Sequence, residues 1–380
     1  MSGNLTVTVL KDGASAVNNL TFDANGNTTA GGTVAMASSF LRNRIINGDM
    51  RIDQRNAGAS TTPTASGYNV DRWNVLISQA SKFSVQQNAG SVTPPAGFTN
   101  YLGFTSLSSY SVLAGDYFIN RQAIEGYNMS DLAWGTANAK TVTLSFQVYS
   151  SLTGTFGGAL QNNASTRSYP FSYSIPVANT WTTVSVTIAG DTSGTWQTTT
   201  NTGIFVCFSL GMGSTYSGTA GSWAATNYLS TTGAVSVVGT NGATFYITGV
   251  QLEVGTVATP FERRLYGQEL VLCQRYYEKS WDQTNAVGTI TNTGITYWYN
   301  GQTGASALVT VPYKVVKRTA ATITLYSGST GASGVVRNST SAVDVTGYTT
   351  FSADSGFAGG TNAAGALAFY GFQWTASAEL

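Results

Sequence analysis

Thr141-Val142-Thr143-Leu144-Ser145-Phe146-Gln147-Val148 decides the fold class. Val142, Leu144, Phe146 and Val148 are apolar, and Thr143, Ser145 and Gln147 between them are polar. A period of two sends the first set to one face of a strand and the second set to the other, so one face is built for a core and one for solvent. The same pattern recurs in both directions along the chain. Val184, Val186 and Ile188 alternate with Ser185 and Thr187; Ile204, Val206, Phe208 and Leu210 form another apolar face; Phe245, Ile247, Val250 and Leu252 form a further one. Between them lie turn residues, as in Ala189-Gly190-Asp191 and Gly239-Thr240-Asn241-Gly242. Gly, Asn and Asp accept the left-handed backbone of tight turns at low cost. Short one-sided strands joined by polar loops predict an antiparallel, jelly-roll-like β-sandwich over residues 41–265. Helical periodicity never alternates with these strands, which disfavours a parallel sheet. Trp73, Phe146, Phe208 and Phe245 stand in apolar strand contexts and are expected in the core.

On either side of the sandwich the pattern changes. Gly267 to Lys279 holds good helix formers without Pro, with Leu270, Cys273 and Tyr277 on one helical face; Glu269 near its start and Lys279 near its end suit the helix dipole. A linking helix is expected over residues 266–280. Ile295, Tyr297 and Tyr299 alternate again, as do Ile323 and Leu325, and Ala366 to Trp374 is an apolar, aromatic strand. Residues 281–380 are therefore expected to form a smaller C-terminal β domain. A strand through Tyr297, Trp298 and Tyr299 turns Trp298 to the face opposite its neighbours, which leaves open which face packs. Residues 1–40 begin with the alternating Leu5-Thr6-Val7-Thr8-Val9 and carry turn chemistry at Lys11-Asp12-Gly13 and Asn25-Gly26-Asn27. So short a β segment cannot bury a core alone and must lean on another copy or a larger assembly. The expected class is all-β throughout, with the helix as a joint.

Composition narrows the chemistry. Of 380 residues only 9% are charged, 18 Lys and Arg against 17 Asp and Glu, while 43 Gly, 20 Tyr, 17 Phe and 8 Trp accompany abundant Ser and Thr. A nearly neutral surface lacks the basic stripe that nucleic-acid binding needs. The absence of His excludes Ser-His-Asp and Cys-His catalysis and every His-ligated metal site. Cys207 and Cys273 form no CxxC pair and read as buried small apolar residues, which fits folding in a reducing compartment. The opening Met1-Ser2-Gly3-Asn4 shows no basic region followed by an apolar run, and the sequence holds no 18-residue apolar run, so membrane insertion is not expected.

Several separated motifs resemble one family. Asn43-Arg44-Ile45-Ile46-Asn47-Gly48-Asp49-Met50-Arg51-Ile52-Asp53-Gln54-Arg55, followed by Val70-Asp71-Arg72-Trp73, resembles the opening of a module frequent in bacteriophage tail-fibre proteins. Gly249-Val250-Gln251-Leu252-Glu253-Val254-Gly255 with Ala258-Thr259-Pro260-Phe261-Glu262-Arg263-Arg264 resembles its close, and Tyr266 to Leu270 with Cys273 to Glu278 resembles the segment after it. Ala376 to Leu380 fits as well. The frame is more distantly similar to jelly-roll carbohydrate-binding modules. The resemblance implies a virion protein made in the host cytoplasm, a homotrimeric receptor-binding fibre whose partner is a host-surface glycan. It also implies that residues 1–40 attach to other tail or baseplate proteins.

Sugars are held by flat apolar ring faces with a few amides and hydroxyls. Thr192 to Thr232 offers both: Trp196, Tyr216, Trp223 and Tyr228 among Gly, Ser and Thr, with Asn201 and Asn227, are the candidate glycan contacts. Packing over a sandwich edge is the competing reading. Asp49, Arg51, Asp53, Arg55, Asp71 and Arg72 read as an ion-pair network pinning the module start, with a calcium site as the alternative. Glu262, Arg263 and Arg264 read as a salt bridge at the domain junction. No cofactor is expected, and no enzyme activity. A glycosidase needs two carboxylates, with Asp116, Glu125, Asp131 and Asp191 the candidates. The readings left open beside adhesion are thus a purely structural virion protein and a depolymerase.

Overall fold

The alternating segments fold as strands, and each buries its apolar set. The computed structural model describes residues 41–301, 307–361 and 367–380, with two short strands before them, β1 (Leu20–Phe22) and β2 (Thr28–Ala30). These two pair antiparallel, Leu20 opposite Ala30, within a unit spanning Met1–Arg42. The expected strand Leu5 to Val9 and the turns at Lys11 and Asn25 lie outside the described residues.

Asn43–Leu380 forms the second unit. Its first part runs through β3 (Gly67–Tyr68), β4 (Trp73–Ile77), β5 (Phe83–Gln87), β6 (Leu102–Ser106), β7 (Tyr117–Glu125), β8 (Val142–Ser150), β9 (Gly154–Asn162), β10 (Ser168–Ile175), β11 (Thr182–Ile188), β12 (Thr202–Met212), β13 (Ser217–Gly218), β14 (Ser230–Thr231) and β15 (Thr244–Val254). One sheet has six strands in the order β10-β9-β12-β7-β4-β3, and the other has five in the order β11-β8-β15-β6-β5. Every pair in both sheets is antiparallel. The inner faces meet in an aromatic core. The Phe208 ring lies 5.0 Å from Phe146, 6.1 Å from Phe171 and 6.2 Å from Trp73. Trp73, Phe146, Phe208 and Phe245 are all buried, as their strand contexts require. So are Cys207 and Cys273, which are free thiols; burial pushes the Cys207 thiol up to about 12.

The helix α1 covers Tyr266–Gln274, shorter than the stretch of helix formers. Tyr277–Lys279 is instead a strand, β16, which pairs with residues 375–377. Composition favoured helix here, but Glu278 and Lys279 are buried, and in the extended form the ladder holds them while Glu278 pairs with Lys317 and the Lys279 ammonium donates to the carbonyls of Gln283 and Asn285. After β16 come β17 (Thr296–Asn300), β18 (Ala307–Pro312), β19 (Thr322–Tyr326), β20 (Val336–Asn338), β21 (Val343–Val345), β22 (Tyr348–Ser352), β23 (Gly356–Thr361) and β24 (Ala368–Ser377). β24 pairs with β16, β17, β19 and β20, and a separate three-stranded sheet, β18-β23-β22, packs Phe357 against Phe372 and Trp374 of β24. Leu325, Val336, Phe357, Tyr370, Phe372 and Trp374 fill the core of this part. The open question at Tyr297-Trp298-Tyr299 is settled. Trp298 packs against Tyr370, with ring centroids 5.4 Å apart, while Tyr297 and Tyr299 are 54% and 51% exposed.

Charge pins residues 49–72 in part through the expected pairs, while Asp53 accepts the backbone N–H groups of Asn56 and Gly58, and Glu379, outside the expected set, receives Arg55 and Arg72. Arg55 meets Glu379 at 3.0 Å and Asp71 at 3.7 Å, Arg72 pairs with Glu379, and Arg51 reaches Asp49 at 2.5 Å. Arg55 and Arg72 also lie 3.7 and 3.5 Å from the ring centroids of Tyr277 and Tyr276. Burial raises the Asp71 carboxyl to about 6, against the pull of Arg55 and of the hydrogen bonds from Gln54. The folded chain thus holds this proton more tightly than the unfolded chain. The stability it contributes is complete below about pH 4 and lost as pH rises through about 6. Asp71→Asn, which does not ionise, is expected to gain on the wild type between pH 4 and 7. Urea midpoints across that range check it, and parallel pH curves would refute it.

Candidate functional site

A groove lies on the outer face of the five-stranded sheet, and the period of two builds its floor. Phe146 and Val184 point inward, so Ser145 and Gln147 of β8 and Thr183 and Ser185 of β11 face out. These strands are direct neighbours, with Gln147 opposite Thr183 and Ser145 opposite Ser185. Thr183 Oγ1 donates to Gln147 Oε1 at 3.0 Å, which leaves the Gln147 amide N–H2 without a partner among the described residues.

One wall depends on a glycine. The β15 ladder shifts register between Thr248 and Gln251, and Gly249 there has φ +63°. A Cβ at Gly249 would come 2.6 Å from the Phe98 ring. The bulge and the missing side chain together let Phe98 lie on the sheet. Phe261 follows from the segment after β15, its ring 5.2 Å from that of Phe98. Arg263 completes the wall with its guanidinium 4.7 Å from the Phe98 centroid. The groove encloses about 450 Å3, within the usual range of about 300–1,000 Å3 for small-ligand sites. Farther along the same face Tyr149 and Tyr246 stack with centroids 5.2 Å apart, and Tyr101 and Trp181 pack onto them. Aromatic walls over a floor of hydroxyls and one amide match a ligand with both apolar and hydroxyl-bearing faces.

The residues expected as glycan contacts are dispersed. Trp196 is buried and belongs to the core. It meets Trp134 at 4.8 Å and Trp223 at 5.4 Å, all edge to face, and Tyr169 closes on Trp223 at 5.3 Å. The three indole N–H groups donate to the carbonyl oxygens of Lys140, Ser193 and Ala189. Trp196 therefore packs, and Trp223 keeps only part of its surface in solvent. Tyr216 stands edge-on to Tyr117 at 5.3 Å, over the outer face of the six-stranded sheet. The Tyr228 ring covers Gly218, and the Asn227 carbonyl accepts from Gln161 Nε2 at 2.5 Å. Asn201 is exposed, and its backbone carbonyl accepts from Gly126. Thr192 to Thr232 thus brings Trp196 and Trp223 together and separates Tyr216, Tyr228, Asn201 and Asn227 from them.

The candidate carboxylates hold structure. Asp131 takes Arg44 in a two-pronged pair at 2.8 and 2.7 Å, and Asp191 takes Arg167 in the same way. Asp116 accepts from Ser78, Tyr110 and the backbone of Leu113. Glu125 accepts from Arg275 and from Tyr276; burial pushes its carboxyl up, but these bonds outweigh it and hold it below the usual range. Among the described residues no group of three or more Cys, Asp or Glu is placed to hold a metal ion. At the junction Arg264 reaches Glu262 at 3.7 Å and Glu269 at 3.4 Å, while Arg263 takes no part. Phe98, Phe261 and Arg263 were not candidates from sequence. The one local signal was Gly249 interrupting an alternating strand, a mark of a bulge or of close approach.

No family model and no curated protein sequence matches the chain. Solved structures overlap it in part. The enzymatically active domain of bacteriophage CBA120 tailspike protein 4 aligns with 11% identity over 56% of this chain and 22% of that one, TM-score 0.31. TmCBM61 in complex with β-1,4-galactotriose aligns with 11% identity over 56% and 99%, TM-score 0.28. A family 11 carbohydrate-binding module from Clostridium thermocellum, in complex with a mixed-linked tetrasaccharide, aligns with 10% identity over 51% and 97%, TM-score 0.27. Overlap at this level assigns neither a family nor an activity to the chain.

Proposed function

We propose that the chain is a bacteriophage tail-fibre subunit that adheres to a host-surface glycan as a homotrimer, holding the sugar in the groove on the five-stranded sheet without turning it over. The observation that carries this reading is the pairing of Phe98 and Phe261 above the outward row of Ser145, Gln147, Thr183 and Ser185. A sugar ring has an apolar face and a hydroxyl rim, and this groove offers a partner for each. The motifs from Asn43 to Trp73 and from Gly249 to Glu278 support the fibre assignment, and residues 1–40 are the part assigned to contact with tail or baseplate proteins. In this reading the Thr192 to Thr232 segment stiffens the sandwich, and Trp223 and Tyr228 contribute at most an edge.

A single groove of this kind binds weakly. Three per fibre and several fibres per particle raise effective concentration, and avidity exceeds one site by about 10²–10⁴. Phe98→Ala and Phe261→Ala are each expected to lower binding to host cells and to immobilised host glycan by roughly tenfold or more, with the melting temperature nearly unchanged, since each removes one aromatic anchor at the surface. Light scattering gives the subunit number. A trimer that binds no host cell or glycan would instead favour a connector role, and release of oligosaccharide from host polysaccharide would favour a depolymerase.

A further inference from the structure

The wall of the groove carries a charge that nothing else in the fold uses. Among the lining residues Arg263 alone is charged, and it is exposed. Its neighbours in sequence are spent. Arg264 donates to the carbonyl oxygens of Ile45 and Asn43 and pairs with Glu262 and Glu269, and Glu262 also accepts from the backbone of Asn43. Asp49, whose charge senses Arg263, is already paired with Arg51. Among the described residues no carboxylate stands within ion-pair distance of Arg263. Yet its position is specified. The guanidinium lies over Phe98, and Gly97, at φ +83°, leaves the space it occupies, since a Cβ there would come 2.7 Å from Nη2. In a chain with 9% charged residues, a positioned and unanswered cation in a groove calls for an anion.

We infer that the groove selects a carboxylated saccharide, a uronate or similar acidic sugar, with Arg263 as the specificity-determining residue; this rests on the glycan-binding reading of the same groove. A planar guanidinium presents parallel N–H donors that match the two oxygens of a carboxylate. Stacking on Phe98 orients that fork and leaves its edge free. The sugar ring then lies against Phe98 and Phe261, its hydroxyls on Gln147 and Thr183 and its carboxylate on Arg263.

The test uses the full chain and an array of glucuronate and galacturonate oligosaccharides beside their carboxyl-reduced glucose and galactose counterparts. The wild type is expected to bind at least one uronate tenfold or more tighter than its reduced form, with a preference that shrinks as NaCl rises. Arg263→Gln is expected to abolish the preference and the salt dependence while binding to the neutral form persists. Phe98→Ala is expected to weaken both forms together. Equal binding of acidic and neutral forms by the wild type would overturn this inference and leave the glycan reading standing. A preference that survives Arg263→Gln would also overturn it. Binding to no sugar on the array, by a protein with an intact melting transition, would overturn the glycan reading and this inference with it.

Discussion

Replacing Glu278 by Leu is expected to cost about 3–5 kcal/mol, one of the largest losses available in this chain. Glu278 and Lys317 are both fully buried, with Lys317 Nζ 2.6 Å from Glu278 Oε2. Glu278 also accepts from the backbone N–H of Lys314, and Lys317 donates to the carbonyl of Val315. Burial pushes the Lys317 ammonium down, while the hydrogen bond and charge of Glu278 pull it back up. Removing the carboxylate strands that ammonium in a dry interior, where it must deprotonate or drag in water. Glu278→Leu with Lys317→Met removes both charges and is expected to recover most of the loss, because paired buried ions gain little over apolar groups of similar volume. Urea unfolding of both single variants and the double variant gives the coupling directly. Additive losses would show that the pair does not act as a unit.

The second large effect belongs to the sandwich. Trp73→Ala is expected to lower stability by about 3–5 kcal/mol, on the order of 10 °C in melting temperature. Trp73 is fully buried beside Phe208, and its indole N–H donates to the carbonyl of Asn47 at 3.0 Å. Asn47 organises the module start. It has φ +56°, its amide donates to the carbonyls of Ile52 and Asp71, and its side-chain oxygen accepts from Ile52. Alanine therefore opens a cavity and also removes one of the two donors to the Asn47 carbonyl, leaving only the Met50 N–H. Trp73→Phe keeps most of the volume and loses only the N–H, so its smaller cost separates the two contributions. Equal costs for the two variants would mean that packing is irrelevant at this position.

The strands were legible where one face is apolar and the other polar. The run from Thr141 to Val148 became β8, and Ile204 to Leu210 became the middle of β12, because inward and outward residues differ in kind at each step. The pinning of the module start was legible as well, since Asp and Arg recur within a few residues in a chain almost free of charge. The end of the helix was not. Tyr277 to Lys279 follows a run of helix formers, and its extended form is decided by β24, about a hundred residues later. The groove was invisible for a similar reason. Phe98 sits in a polar loop, Gln147 and Thr183 read only as the solvent side of strands, and Arg263 reads as one of a charged trio. Only the sheet brings them together. Trp196 was not legible as buried, because polar neighbours in sequence say nothing about the indoles of Trp134 and Trp223 that meet it in space.

The placement of β24 bears on how the protein is made. One strand, Ala368–Ser377, is bonded along its length to β16, β17, β19 and β20. During translation those earlier strands leave the ribosome with their central partner still unmade, and they wait with open edges and apolar side chains such as Leu325 and Val336 in water. Assembly of this part therefore waits until β24 has emerged. A premature stop between residues 281 and 367 would release a chain whose sandwich strands are complete but whose later strands lack β24 and are prone to stick to others of their kind.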